Sequence, residues 1–113
     1  MTDTHVGPVI FSNRDARSYL ESAGQVYTFR TRDRTTGSTH VRYERTGRKQ
    51  YDCIIQKHAS VADDELQDAL DALSEQAGFS SGDEWRAAIR EMHGEMPDEG
   101  HIYHVILPNG GRP

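Results

Sequence analysis

Cysteine occurs once in this chain, at Cys53, so no internal disulfide can form and a reducing compartment is the expected setting. Lysine is nearly as scarce: of 13 cationic residues only Lys49 and Lys57 are lysines. Leu, Ile, Val and Phe together number 20 of 113 residues, which leaves a lean core for what the length predicts to be a single domain. That fraction beside a net charge of −5 is also found in disordered chains, but the apolar residues here are periodic, which argues for a fold. No run approaches the roughly eighteen apolar residues that cross a bilayer. Met1-Thr2-Asp3-Thr4-His5 has neither the apolar stretch nor the basic residues of an export signal. The expectation is a cytoplasmic monomer without membrane contact. Abundant Asp and Glu with few Lys also fits adaptation to a salty cytosol.

Charge is unevenly distributed. Residues 30–49 hold seven cations (Arg30, Arg32, Arg34, Arg42, Arg45, Arg48, Lys49) against Asp33 and Glu44, a balance of +5. Residues 62–99 hold twelve acids against Arg86 and Arg90, a balance of −10. The chain is therefore dipolar.

Periodicity gives the element order β-α-β-β-β-α-α-β. Pro8 to Phe11 reads as a short strand, and Ser12 with Asp15 as a capping signal for a helix carrying Ala16, Tyr19, Leu20 and Ala23, stopped by Gly24. Gln25 to Arg32 alternates with period two, as does Thr39 to Arg45, and a third strand spans about Gln50 to Lys57. Ser60 with Asp63 is expected to cap a helix with the stripe Leu66, Ala69, Leu70, Leu73 and Ala77. Ser81 with Glu84 caps another, whose buried face is Trp85, Ala88, Ile89 and Met92. Tyr103 to Leu107 closes the fold as a last strand, with residues 1–7 and 108–113 expected as flexible ends. A three-stranded meander closed by strands from both termini, with about three helices packed on it, is an α+β fold built on a small open β-barrel.

Alternation places Tyr27, Phe29 and Thr31 on one face of the first long strand and Thr28, Arg30, Arg32 and Arg34 on the other. If this strand forms a hairpin with the next, a loop of odd length containing Gly37 aligns the apolar faces. Arg30, Arg32, Arg34, His40 and Arg42 then share one solvent face. Opposed like charges are unfavourable across strands, and phosphate suits the guanidinium fork, so an anionic ligand is expected there. Neutralisation by Asp33, Glu44 and the acidic helices is the competing reading. Tyr43 and Tyr51 are the nearest aromatics that could stack on bases. Cys53, mid-strand, reads as inert packing. His101 and His104 project to opposite faces, and no other histidine has a partner at ligand spacing, so neither a metal nor a cofactor is expected. The Asp63-Asp64-Glu65 run reads as an acidic first helical turn.

The run Gly24-Gln25-Val26-Tyr27-Thr28-Phe29-Arg30 follows a short strand and helix. Further on come Gly78-Phe79-Ser80-Ser81-Gly82-Asp83-Glu84-Trp85, a helix ending in His93-Gly94, and Ile102 to Leu107. Together these resemble an ASCH domain of the small stand-alone archaeal or bacterial type, over about residues 8 to 107. The resemblance implies a PUA-like pseudo-barrel that binds RNA or a nucleotide in a cleft beside the first meander strand. Arg30, Arg32, Arg34 and Arg42 would then face phosphate, and Gln25 and Thr28 would face a base or sugar. Some ASCH proteins are amidohydrolases of N4-acylated cytidine nucleosides, with a Lys-x-x-Thr-x-Arg strand and a helical Glu. Here Thr28 and Arg30 match that pattern, while Gln25 stands in place of the Lys. Glu75 lies near the acid position, although an offset of about two residues would put Ala77 there. The resemblance thus also implies an alternative, hydrolysis by Thr28 and Glu75. A third reading is a protein-interaction module that uses the acidic helical face at Asp68 and Asp71.

Overall fold

The computed structural model describes residues 6–108. Its elements are β1 (Val9–Ile10), α1 (Arg14–Ala23), β2 (Gln25–Arg30), β3 (Gly37–Arg42), β4 (Tyr51–Ala62), α2 (Asp63–Leu73), a 3-10 turn (Glu75–Ala77), α3 (Gly82–His93) and β5 (Glu99–Ile106). The order matches the sequence expectation. The pairing does not.

One five-stranded sheet runs β1-β3-β4-β5-β2 and curls into a half-barrel. β1 is parallel to β3, and all other neighbours are antiparallel. The expected β2–β3 hairpin does not form: β2 pairs with β5 over its whole length, Gln25 opposite Ile106 and Arg30 opposite His101. The reason lies in apolar matching. Val26 meets Val105, and Phe29 meets Ile102, whereas β3 offers only Val41 as a buried partner. Six residues separate β2 from β3, enough chain to carry β3 to the far side of the sheet, where it pairs with β4.

Both sheet faces bury apolar side chains. On the inner face Val26, Val41, Cys53, Ile55, Tyr103 and Val105 pack against Ala16 and Leu20 of α1. On the outer face Phe29, Val61 and Ile102 pack against Leu66 and Leu70 of α2 and Trp85 and Ile89 of α3. A bulge between Lys57 and Ala59 lets one long strand serve both: Ile55 is inward before it and Val61 outward after it.

Capping differs from expectation in two places. Asn13, not Ser12, caps α1, its side-chain oxygen accepting from the Ala16 amide at 3.0 Å. Ser60 stays within β4, and α2 starts from Ala62 without a side-chain cap. The amide of Asp63, at φ 50°, instead donates to the Asp98 carbonyl at 2.8 Å. Ser81 caps α3 as expected, while the Glu84 carboxylate reaches Ser80. Met92, expected in the core, is 61% exposed. The expected flexible ends lie mostly outside the described residues, but the Val6 and Gly7 carbonyls both accept from Thr39 Oγ1 at 3.0 Å.

The 3-10 turn leads into Gly78, where φ is 97° and an added Cβ would stand 2.6 Å from the Asp15 carbonyl oxygen of α1. Gly78→Ala is expected to cost about 2 kcal/mol or more in urea denaturation, by backbone strain and collision together. A loss below about 0.5 kcal/mol would show that this junction is not close-packed.

Candidate nucleotide cleft at the sheet seam

β1 and β2 are the two edges of the sheet, and no backbone ladder joins them. One side chain spans the gap: Arg30 Nη2 donates to the Ile10 carbonyl at 3.1 Å. A cleft opens along this seam. One wall is Phe11 with Ser12 and Asn13, another is β2 from Tyr27 to Arg30, and the third is Phe79, Trp85 and Ile89, with Met92 and His93 beside them. Its cavity volume is about 60 Å³. That admits one functional group or the edge of a ring; the rest of any ligand would lie in the mouth.

Thr28 and Arg30, on the inner face of β2 with Val26, and Tyr27 and Phe29, on its outer face, all line the cleft because β2 is an edge of the sheet. Arg30 is partly exposed as a residue, yet its Nε is shut from water and has no hydrogen-bond partner. Burial, reinforced by the neighbouring Arg34, lowers its pKa to about 10, so it stays charged at neutral pH. Phe11 lies beneath the guanidinium, 5.8 Å from ring centroid to Cζ. Among the described residues no carboxylate lines the cleft, and its polar side chains are those of Ser12, Asn13, Thr28, Arg30 and His93, with Tyr27 at the edge of β2.

The other expected site residues lie elsewhere. Arg42 shares the outer face with His40, donating from Nε to His40 Nε2 at 3.0 Å, so Arg30 and Arg42 point to opposite sides of the sheet. Arg34 Nη2 is committed to the Gly7 carbonyl at 2.6 Å. Arg32 is exposed just beyond β2. The expected single face of four arginines and His40 does not form, because its premise was the absent hairpin. The competing expectation, neutralisation by acids, fails as well. Among the described residues none of the arginines from 30 to 48 forms an ion pair, and the acidic helices engage only Arg86, through Asp71 and Asp83.

Gln25 faces outward, its Oε1 2.6 Å from His104 Nε2, and does not line the cleft. Glu75 is likewise absent from it, lying with Tyr19 and Gln76 in a separate depression, while Ala77 occupies the cleft wall. Of the hydrolase pattern, only Thr28 and Arg30 are brought together. The Tyr43 and Tyr51 hydroxyls both donate to Glu21, at 2.7 and 3.2 Å, and Arg17 covers the Tyr43 ring, so neither is a free stacking surface. Burial pushes the Cys53 thiol up to about 11, consistent with inert packing. Trp85 is buried in the outer cluster as expected, at 3% exposure, and its edge also lines the cleft; the cleft role of Trp85 and His93 was not expected from the sequence. Their helical spacing gave no sign that α3 leaves one flank open.

No family model, curated protein or solved structure matches this chain.

Beside the seam, Asp33 Oδ1 accepts from the Tyr103 hydroxyl at 2.7 Å, the Arg34 amide at 3.0 Å and Lys57 Nζ at 3.1 Å. The Tyr103 bond first, then that from Lys57, lowers its pKa from 3.8 to about 2. A folded pKa below the unfolded one adds stability that is complete above about pH 4 and lost as pH falls towards 2. Asp33→Asn is therefore expected to flatten the acid limb of stability in urea melts between about pH 2 and 5. An acid limb identical to that of the parent would contradict these bonds.

Proposed function

We propose that this chain is an ASCH-like, PUA-type domain that binds a nucleotide or RNA through the seam cleft, anchored by Arg30. The observation that carries the reading is Arg30: a charged side chain that lines a cleft with no carboxylate among its described walls, and whose Nε is buried without a hydrogen-bond partner. Leaving such a donor unsatisfied costs on the order of 1–3 kcal/mol or more, which a ligand acceptor would offset. Phosphate oxygens and the carbonyl and ring-nitrogen edge of a base both fit a guanidinium. The walls of Phe11, Phe79 and Trp85 favour a flat ring entering between them. Thr28 supplies a hydroxyl to the same ligand. Arg32, exposed beyond β2, is the cation nearest along the chain for a phosphate left in the mouth. Gln25, Arg34 and Arg42 have no part in cleft binding. The missing acid favours recognition over threonine-centred hydrolysis, since Thr28 has no carboxylate beside it in the cleft.

Trp85 is the sole tryptophan and forms a cleft wall, so its emission reports occupancy. Titration with the four ribonucleoside monophosphates is expected to shift Trp85 fluorescence for at least one. Arg30→Leu should weaken that binding tenfold or more, about 1.4 kcal/mol, with Tm read alongside because the change also removes the bond to the Ile10 carbonyl. Unchanged affinity in Arg30→Leu, or no response to any nucleotide, would contradict the proposal. Turnover of N4-acetylcytidine that Thr28→Ala abolishes would replace it with the hydrolase reading.

A further inference from the structure

The outer sheet face is covered by α2 and α3 at one end only. At the other end the register sets Ser38, Ile54, Ile106 and Gln25 in one row across four strands, with Gln56, His104 and Tyr27 in the next. Ile54 and Ile106 belong to neither apolar cluster and are only half-buried, so among the described residues no helix covers this end of the face. Tyr27 and His104 stack in parallel, with ring centroids 4.4 Å apart and planes 9° apart, and the exposed His58, at the β4 bulge, sets its ring edge-on to Tyr27 at 5.0 Å. Arg42 and His40 share this face, and Arg45 and Arg48 follow in the exposed β3–β4 loop with no ion pair.

We infer that this end of the face binds a single-stranded polynucleotide, so that the domain's ligand is a strand rather than a lone nucleotide. The inference takes the chemical class of ligand from the cleft reading and adds a second contact surface. Three features select this occupant. A cluster of three rings on a half-open sheet face offers aromatic surface to bases, as sequence-tolerant single-strand binders do. The amides of Gln25 and Gln56 border it with donors and acceptors for base edges. Among the described residues the arginines of β3 and its loop form no ion pair, either with Asp52, which is engaged by Lys49 at 3.1 Å, or with Glu44 of the same loop, and phosphates would run beside them. Two isoleucines and one ring stack offer little apolar area for the core of a dimer interface. Because Tyr27 also lines the cleft, β2 connects the two surfaces.

The test compares a single-stranded RNA of about eight nucleotides, and DNA of the same sequence, with nucleoside monophosphates on the intact protein. The oligonucleotide is expected to bind at least tenfold tighter than any monophosphate and to shift the amides of Ser38, Ile54, His58, His104 and Ile106. The double variant His58→Ala, His104→Ala should lose that gain while keeping its monophosphate affinity. Arg42→Glu should weaken the oligonucleotide alone, and Arg42→Lys should retain most of the affinity. If RNA and DNA bind alike, the contacts are to bases and phosphates; a preference for RNA adds the 2′-hydroxyl. An oligonucleotide no tighter than a monophosphate, with shifts confined to the cleft walls, overturns the inference and leaves the cleft reading standing. Oligonucleotide binding lost in the double variant, with no monophosphate binding at all, supports the inference and sinks the cleft reading instead. A concentration-dependent doubling of mass that Ile54→Lys abolishes would assign the face to a second copy and overturn the inference.

Discussion

β5 pairs with β2 along one edge and β4 along the other, and this double pairing governs what every charged side chain of the sheet can do. It holds β2 and β3 three strand spacings apart, roughly 14 Å. It fixes the phase of β2 through Val26 against Val105, and that phase turns Thr28 and Arg30 inward and Gln25 and Tyr27 outward. It also leaves β2 as a free edge facing β1 across a gap that the Arg30 guanidinium bridges. Cleft and outer face are two sides of one strand placed at the margin.

Much of this architecture was legible in the sequence because it is local. The order of elements, the Gly24 and Gly94 helix ends, the Ser81 cap, the alternation of β2 and the burial of Cys53 all follow from spacing within a few residues. Strand partnership is different. Gln25 to Arg30 alternates identically whether its neighbour is β3 or β5, and the choice is made by matching apolar side chains some 80 residues apart. With that choice wrong, correctly assigned faces gave an incorrect surface: Arg30 and Arg42 were placed side by side and lie on opposite sides of the sheet. The Tyr27–His104 stack was hidden for the same reason. The role of His58 depends on a bulge, which leaves no mark in a pattern of period two.

Arg30 sets stability against use. A guanidinium on the inner face of a half-barrel, with one carbonyl as partner, a neighbouring arginine and no carboxylate, is a poor way to hold a fold together. The molecule has acids to spare, twelve of them between residues 62 and 99, yet among the described residues two of them pair with Arg86 and none lines the seam cleft. Charge is thus segregated in space as it is along the chain. A cleft lined by Arg30 and, among the described residues, by no acid is suited to a ligand that brings its own acceptors.

The most direct test of this account is the ¹⁵N–¹H signal of the Arg30 side-chain Nε, observed in the free protein and at saturation with the tightest-binding nucleotide. The account predicts a resolved, slowly exchanging signal that moves strongly downfield when the ligand supplies an acceptor, while the Arg42 Nε signal stays in place under the same monophosphate. An Arg30 signal that is unchanged at saturation, or that already shows a charged hydrogen bond in the free protein, would mean that this guanidinium is a structural brace and not the anchor of a binding site.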